Sequence, residues 1–205
     1  MPLVHVPPPR VSRWTENFAT RHGATTLRVH DGALRGEAAD GSWFEARLPF
    51  GAAYDGPAEA GALAAAVSPP HRWGVLLVRK GGFAVARLTA DRVVERKVGR
   101  RHVQGRTKAG GQSQQRFARR RANQAREAYE AAADHAARIL TGRDLPVVAG
   151  GDRSAVAEVL ADPRLRGVTV VGEWLALAKP RAAVLDEAIG LARSVVVTVH
   201  NADPG

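Results

Sequence analysis

The sequence has no cysteine, few aromatic residues and no long apolar run. Without cysteine, the chain can form no disulfide, no thiolate nucleophile and no cysteine-ligated metal centre. Aromatic residues make up 5% of the chain and hydrophobic residues 45%, so we expect a core of Ala, Val and Leu. No window approaches the ~18 consecutive apolar residues of a membrane span, and no basic segment followed by an apolar one begins the chain. We therefore expect a folded cytoplasmic protein without a membrane span.

Acidic residues are missing from one stretch. Between Lys97 and Arg126 there are ten basic residues and no Asp or Glu, so this segment accounts for the whole formal net charge of +10. Only four of the 30 basic residues are lysine, and the planar arginine side chain binds phosphates and stacks on bases. A run of charge is usually a solvated helix face, but a run without acids favours a polyanionic partner.

The first fifty residues predict a small α+β unit. An amphipathic helix is expected over 11–22, ending at Gly23. Three alternating segments follow, at 25–30, 33–38 and 42–48. Asp-Gly pairs separate them, which is typical of β-hairpins. We therefore expect a helix-plus-three-strand unit over 1–50 and a Gly/Ala/Pro-rich linker over 51–70, with a short helix near 59–67.

The chain from 71 to 205 predicts a larger α/β domain. The expected strands are 73–79, 83–88, 92–98, 146–149, 168–171 and 195–199, and the expected helices are 113–140, 154–161 and 181–192. The longest helix has an alanine-rich stripe at helical spacing, with Ser113 as its N-cap, and a basic loop over 99–113 precedes it. Three antiparallel strands, a long helix and then alternating strands and helices predict a mixed sheet flanked by helices.

Gly110-Gly111-Gln112 stands at the junction between the basic loop and the long helix. The tripeptide is common, and two glycines also suit a flexible approach to a helix. Glycines directly before a helix nevertheless give a slim loop next to amides and a positive dipole end that face outward. In isolation these two interpretations stay open.

The longer string strongly resembles a known signature. From Gly110 to Arg121 the sequence reads Gly-Gly-Gln-Ser-x-x-Arg-Phe-Ala-Arg-x-Arg, which resembles the catalytic domain of archaeal and eukaryotic class-1 peptide-chain release factors. The flanking Gly105-Arg106-Thr107 and Ser113-Gln114-Gln115-Arg116 are more similar to release-factor-like peptidyl-tRNA hydrolases of ribosome quality control. The order of strands and helices extends the resemblance over roughly 73–199. It implies an RNase H-like α/β fold, similar to the release factor middle domain.

The resemblance also implies roles for individual residues. Gln112 would organise water and the leaving oxygen during hydrolysis of the peptidyl-tRNA ester, and Gly110 and Gly111 would let the loop enter a crowded RNA cavity. Phosphates of tRNA or ribosomal RNA would be held by basic and polar neighbours. These are Arg100, Arg101, Arg106, Lys108, Ser113, Gln115, Arg116, Arg119, Arg120 and Arg121. No metal and no cofactor is expected.

The sequence departs from the release factors in two ways. Thr107-Lys108-Ala109 stands between Gly-Arg and Gly-Gly-Gln, which are usually adjacent, so the loop is longer. In addition, 205 residues leave no room for a codon-reading domain. We therefore expect the protein to act on peptidyl-tRNA in stalled ribosomes or large subunits independently of the codon. We also expect a monomer. Two alternatives stay open: an endonuclease that cuts the tRNA 3′ end with the same loop, and a non-catalytic ribosome- or RNA-binding factor.

Overall fold

The computed structural model describes residues 1–100 and 112–202, with the side chains of Arg100 and of 112–125 left aside. The chain forms two compact units. The first unit comprises Met1–Pro69 together with Ile189–Gly205, and the second comprises Pro70–Ala188. None of the helices in the described part of the chain combines the length and the apolar character that crossing a membrane requires.

The first unit is built on a five-stranded antiparallel sheet with the order β1-β10-β4-β3-β2. Its strands are β1 (Leu3–Val6), β2 (Thr25–His30), β3 (Ala33–Ala38), β4 (Trp43–Arg47) and β10 (Val195–His200), and its helices include α1 (Val11–His22) and α2 (Ala60–Ala65). The predicted helix and three strands of this region are confirmed to within one residue. Asp31 and Gly32 both have positive φ, +49° and +68°, as a tight hairpin turn between β2 and β3 requires.

The core of the first unit lies between this sheet and its helices. Phe44, Leu34 and Leu63 are fully buried there. Phe44 makes edge-on contacts with Trp14 and Phe18 of α1, at ring-centroid distances of 5.1 and 5.0 Å. The amphipathic face of α1 therefore packs on the sheet as its sequence spacing predicts.

The last strand joins a sheet other than the expected one. The sequence order assigned 195–199 to the domain that begins at residue 71, but β10 pairs antiparallel with β1 and β4 of the first unit. Its sequence, Val-Val-Val-Thr-Val-His, is an apolar β-branched run that suits a buried strand in either sheet. The expectation of a single continuous domain over 71–205 was therefore wrong for this strand. A local pattern of this kind does not specify which strand will be the partner.

The second unit is built on a mixed sheet with the order β7-β6-β5-β8-β9. Its strands are β5 (Arg72–Arg79), β6 (Gly82–Thr89), β7 (Arg92–Arg100), β8 (Leu145–Gly151) and β9 (Val168–Val170), and its helices include α3 (Gln112–Ile139) and α4 (Arg153–Leu160). The first three strands form an antiparallel meander, whereas β8 lies parallel to β5 and β9 parallel to β8. The boundary between the two units falls within α5 (Ala182–Ala192).

The alanine stripe of α3 packs on this sheet as predicted. Ala132, Ala136 and Ile139 are fully buried in one cluster with residues of β5, β6 and β8. Small side chains at this face let the helix axis come close to the sheet. The α/β class and the mixed sheet with helices are thus confirmed. The helix begins at Gln112, so Ser113 lies in its first turn and is not the N-cap residue that the sequence suggested.

Candidate functional site

In the sequence, the predicted catalytic and basic residues run from the last residue of β7 into the first turns of α3. Arg100 is the last residue of β7 and Gln112 is the first residue of α3. Ser113, Gln115, Arg116, Arg119, Arg120 and Arg121 follow within the first turns of this helix. Arg101, Arg106, Lys108, Gly110 and Gly111 lie outside the described residues. The described backbone therefore places Gln112 and the predicted residues that follow it in the amino-terminal part of α3.

α3 is an unusual helix in its distribution of charge. It has 28 residues, which corresponds to about 42 Å, and its first turn contains no acidic residue. Arg116, Arg119 and Arg120 occupy positions i, i+3 and i+4, which share a helix face. Cations near a helix amino end are unfavourable for the helix because the end itself carries partial positive charge. A bound anion would remove this penalty, so the charge pattern suits a phosphate-rich partner.

The carboxyl half of α3 fixes the helix to the sheet. His135 stacks on Phe83 of β6, with ring centroids 5.4 Å apart and an interplanar angle of 27°. Arg138 donates a hydrogen bond to a carboxylate oxygen of Glu95 on β7. Asp134 accepts a hydrogen bond of 2.6 Å from Arg164. These contacts and the buried alanine stripe hold one half of the helix, and Gln112 begins the other half.

The structure also shows a charged cavity that the sequence did not reveal. A surface cavity of about 410 Å³ lies in the second unit, and the described residues that line it are Arg79, Lys80, Asp152 and Lys179. The residues come from three separate parts of the chain, so no local motif connects them. Asp152 is the N-cap residue of α4 and accepts a hydrogen bond from the Ser154 amide.

The ionisation of Asp152 is set by its neighbours. Its pKa lies below the ordinary value, chiefly because the Ser154 hydroxyl donates a hydrogen bond of 2.8 Å to Oδ1. Backbone amides of α4 and the charge of Arg79 lower the pKa further. Asp152 is therefore a carboxylate at neutral pH, and two of its hydrogen-bonding interactions are within its own helix cap.

Metal ligation is not a feature of the described residues. No group of three or more His, Asp or Glu side chains comes close enough to hold a metal ion in the part of the chain that the structure describes. Asp162, another acid near an element end, caps the short 3-10 helix Pro163–Leu165 by accepting from the Arg164 amide. Among the described residues, Asp152 and Asp162 thus both act as helix caps.

Comparison with known proteins identifies the larger part of the chain. The family model of the Actinobacteria/chloroflexi VLRF1 release factor matches residues 71–198. No curated protein is a significant match. The matched span covers more than half of the chain and contains β5 to β9, α3 and the whole basic segment. The resemblance to release factors is confirmed at the level of the family. This chain belongs to the Actinobacteria/chloroflexi VLRF1 release factor family, and its function is related to the ribosome.

Proposed function

We propose that this protein hydrolyses the ester bond of peptidyl-tRNA in stalled ribosomes or large subunits, without recognising a codon. One observation carries the proposal: Gly110-Gly111-Gln112 leads directly into α3, whose first residue is Gln112, inside the span that the release factor family matches. The basic segment on both sides of this motif supports an RNA-bound substrate.

The chemistry of the bond suits such a site. The ester between the peptide and the terminal ribose is an activated acyl group, which water attacks once it is correctly placed. Donors aimed at the developing oxyanion or at the leaving hydroxyl lower the barrier without a strong protein base. The backbone amide of Gln112, its side chain or both would supply such donors at the positive end of the α3 dipole. Gly110 and Gly111 would let the backbone approach the ester closely.

The partners in this proposal are peptidyl-tRNA and ribosomal RNA. The proposed contacts to their phosphates are Arg100, Arg101, Arg106, Lys108, Ser113, Gln115, Arg116, Arg119, Arg120 and Arg121. Arginine suits this role because its planar group makes two parallel hydrogen bonds to a phosphate. We propose a monomer as the active species, with no metal and no cofactor in the reaction.

The fold of the second unit supports the same assignment. An antiparallel meander is followed by a helix and then by the parallel strands β8 and β9, with α4 between them. This order fits an RNase H-like domain similar to the middle domain of release factors, which we propose for residues 70–188. In this arrangement α3 leads from the substrate loop into the buried core.

The experiment that tests the function compares the wild type with Gln112→Ala on ribosome-bound peptidyl-tRNA that lacks a stop codon. Released peptide and the 3′ end of the tRNA are resolved separately. Gln124→Ala is the matched control, because it removes the same side chain three turns further along α3. We expect the wild type and Gln124→Ala to release peptide and leave an intact tRNA, and Gln112→Ala to lose the activity.

Three other outcomes of this experiment would contradict the proposed hydrolysis or the role of Gln112. A shortened tRNA 3′ end would show phosphodiester cleavage, as an endonuclease produces. Wild-type binding to the stalled complex without peptide release, unchanged in Gln112→Ala, would show a non-catalytic factor. An equal loss of release in Gln112→Ala and Gln124→Ala would show that the loss comes from a change in α3 and not from removal of the Gln112 side chain.

A further inference from the structure

We propose that the cavity lined by Arg79, Lys80 and Lys179 binds a phosphate group of the RNA backbone, as a contact separate from the basic segment around Gln112. The choice of RNA as the source of the phosphate rests on the proposed function. The cavity itself, its charge and its position in the sheet are independent of that function.

The position of the cavity follows from the parallel pairing of β5 and β8. Val78 of β5 is in register with Gly151 of β8, so the carboxyl ends of the two strands meet at one edge of the sheet. Arg79 and Lys80 stand at the end of β5, and Asp152 stands just past β8. Ligands of open α/β sheets bind outside the carboxyl ends of parallel strands.

Backbone hydrogen bonds bring the third segment to this edge. The Gly151 amide donates to the Leu175 carbonyl at 3.0 Å, and the Asp152 amide donates to the Val78 carbonyl at 2.8 Å. Lys179 follows four residues after Leu175. A Cβ at Gly150 would lie 2.5 Å from the Leu175 carbonyl oxygen, so glycine is required for this close approach. The lysine is thereby brought beside Arg79 and Lys80.

The charge in the cavity is left uncompensated. Three cations face one carboxylate, and the Asp152 carboxylate accepts hydrogen bonds from the Ser154 amide and hydroxyl. No ion pair joins Lys80 or Lys179 to any acid that the structure describes. Other cations of the same unit do have such partners, among them Arg96 with Asp186 and Arg164 with Asp134. The two lysines are thus free to bind an external anion.

The chemistry of the lining selects the class of ligand. Pockets for small organic molecules are mostly apolar, whereas the described lining residues here are all charged. None of these described residues is aromatic, so a nucleoside would find no ring among them on which to stack its base. Lysine acts as a strongly hydrated point charge, which is typical of contacts to phosphates. Two of only four lysines in the chain meet at this cavity, although they are far apart in the sequence.

The test measures the salt dependence of binding to a deacylated tRNA. Each phosphate contact that is lost lowers the slope of log K against log salt concentration by about 1. We expect Lys80→Gln with Lys179→Gln to lower the slope by about 1, because the pair holds one phosphate. Between about 50 and 200 mM salt, the affinity of this double variant should then fall about fourfold less than that of the wild type.

A control variant removes the same charge from the opposite edge of the sheet. Arg143 and Arg166 are exposed and precede β8 and β9, at the amino ends of these strands. We expect Arg143→Gln with Arg166→Gln to keep the wild-type slope. Equal changes in the two double variants would show a general effect of net charge and would overturn the proposal, as would a wild-type slope in the lysine variant.

A second arm distinguishes RNA from a free phosphate compound. Inorganic phosphate and adenosine monophosphate are titrated while the amide signals of Arg79 and Asp152 are followed by NMR. Saturation of these signals at low concentration, abolished in the lysine variant while the tRNA slope is unchanged, would assign the cavity to a small metabolite and overturn the RNA contact. Gln112→Ala should keep the wild-type slope, so a failed hydrolysis proposal and a failed phosphate site give different results.

Discussion

Phe83 of β6 lies over Gly99 of β7. The two residues are direct partners across the strands, and a Cβ added to Gly99 would lie 2.5 Å from Cζ of Phe83. The ring of Phe83 also stacks on His135 of α3. Gly99, Phe83 and His135 therefore connect the end of β7 to α3. These are the two elements that flank the segment from 101 to 111.

Gly99→Ala should displace Phe83 and weaken this connection. Because Phe83 is buried and Gly99 is its direct partner, we expect a loss of about 1–3 kcal/mol in the free energy of unfolding. Denaturant unfolding followed by tryptophan fluorescence measures it. Gly190→Ala is the control, because Gly190 lies in α5 with no atom within 4 Å of an added Cβ. That variant should gain about 0.5–1 kcal/mol, and equal stability of Gly99→Ala and the wild type would contradict the argument.

Charge removal at the amino half of α3 should weaken RNA binding without loss of the fold. Replacing Arg119, Arg120 and Arg121 by Gln should lower the slope of log K against log salt concentration for tRNA by about 3. Helix stability should stay equal or rise, since cations near the amino end oppose the helix dipole. Salt titrations and circular dichroism measure the two effects.

The matched control for this charge removal is in the first unit. Arg10, Arg13 and Arg21 are exposed, and their replacement by Gln removes the same charge. We expect the wild-type salt slope for this control. An equal fall in both triple variants would show that net charge, and not the position of the arginines on α3, determines the affinity.

Acid should weaken the contact between Asp162 and Arg164. Arg164 donates hydrogen bonds to both carboxylate oxygens of Asp162, which lowers the pKa of that carboxyl from 3.8 to about 2 in the folded chain. A lowered folded-state pKa means that the stabilisation is present above the unfolded-state value and is lost as the pH falls from about 4 towards 2.

Asp162→Asn tests this pH dependence. Asparagine keeps the helix cap but not the charge, so the variant should be less stable than the wild type at pH 6 by a small margin, because the pair is exposed. We expect the difference in the free energy of unfolding to vanish at the acid end of the range. A difference that is constant with pH would assign the effect to something other than the ion pair.

Val197 should contribute strongly to the stability of the first unit. It is buried in β10, the strand between β1 and β4, and Val197→Ala removes two carbon atoms from the core. We expect a loss of about 2 kcal/mol in the free energy of unfolding. Hydrogen exchange should then rise in β1 and β4. Val170→Ala, at an exposed position of the edge strand β9, should have little effect, and similar exchange in both variants would contradict this role.

Local sequence patterns predicted most of the helices and strands, but they missed β1 and did not predict the partners of every strand. Asp31-Gly32 predicts its hairpin because the residues suit positive φ, and the alanines of α3 predict a buried helix face. β1 was missed because Leu3–Val6 is only four residues long and a proline follows it. The pairing of β10 depends on contacts between residues at opposite ends of the chain, which no window of sequence contains.

The same distinction applies to the sites. Gly110-Gly111-Gln112 belongs to a contiguous string that runs to Arg121, so the sequence predicted a functional loop through the resemblance of that string to release factors. The cavity at the ends of β5 and β8 is formed by side chains from three segments, and Lys80 and Lys179 become neighbours only through the parallel pairing of these strands and the bond from Gly151 to Leu175. Neither lysine belongs to a motif, so sequence analysis had no signal for the cavity.

The place of β10 in the first sheet has a consequence for synthesis and folding of the chain. Leu3 pairs with Thr198, so β1 lacks its partner among the described strands until the chain has been synthesised as far as β10. The second unit is continuous in sequence, and it can therefore form while the first still lacks β10, one of its interior strands. Such a distant pairing also closes late and slowly during refolding. A fragment that begins at residue 70 would carry β10 with both of its edges unpaired, and it should aggregate through them.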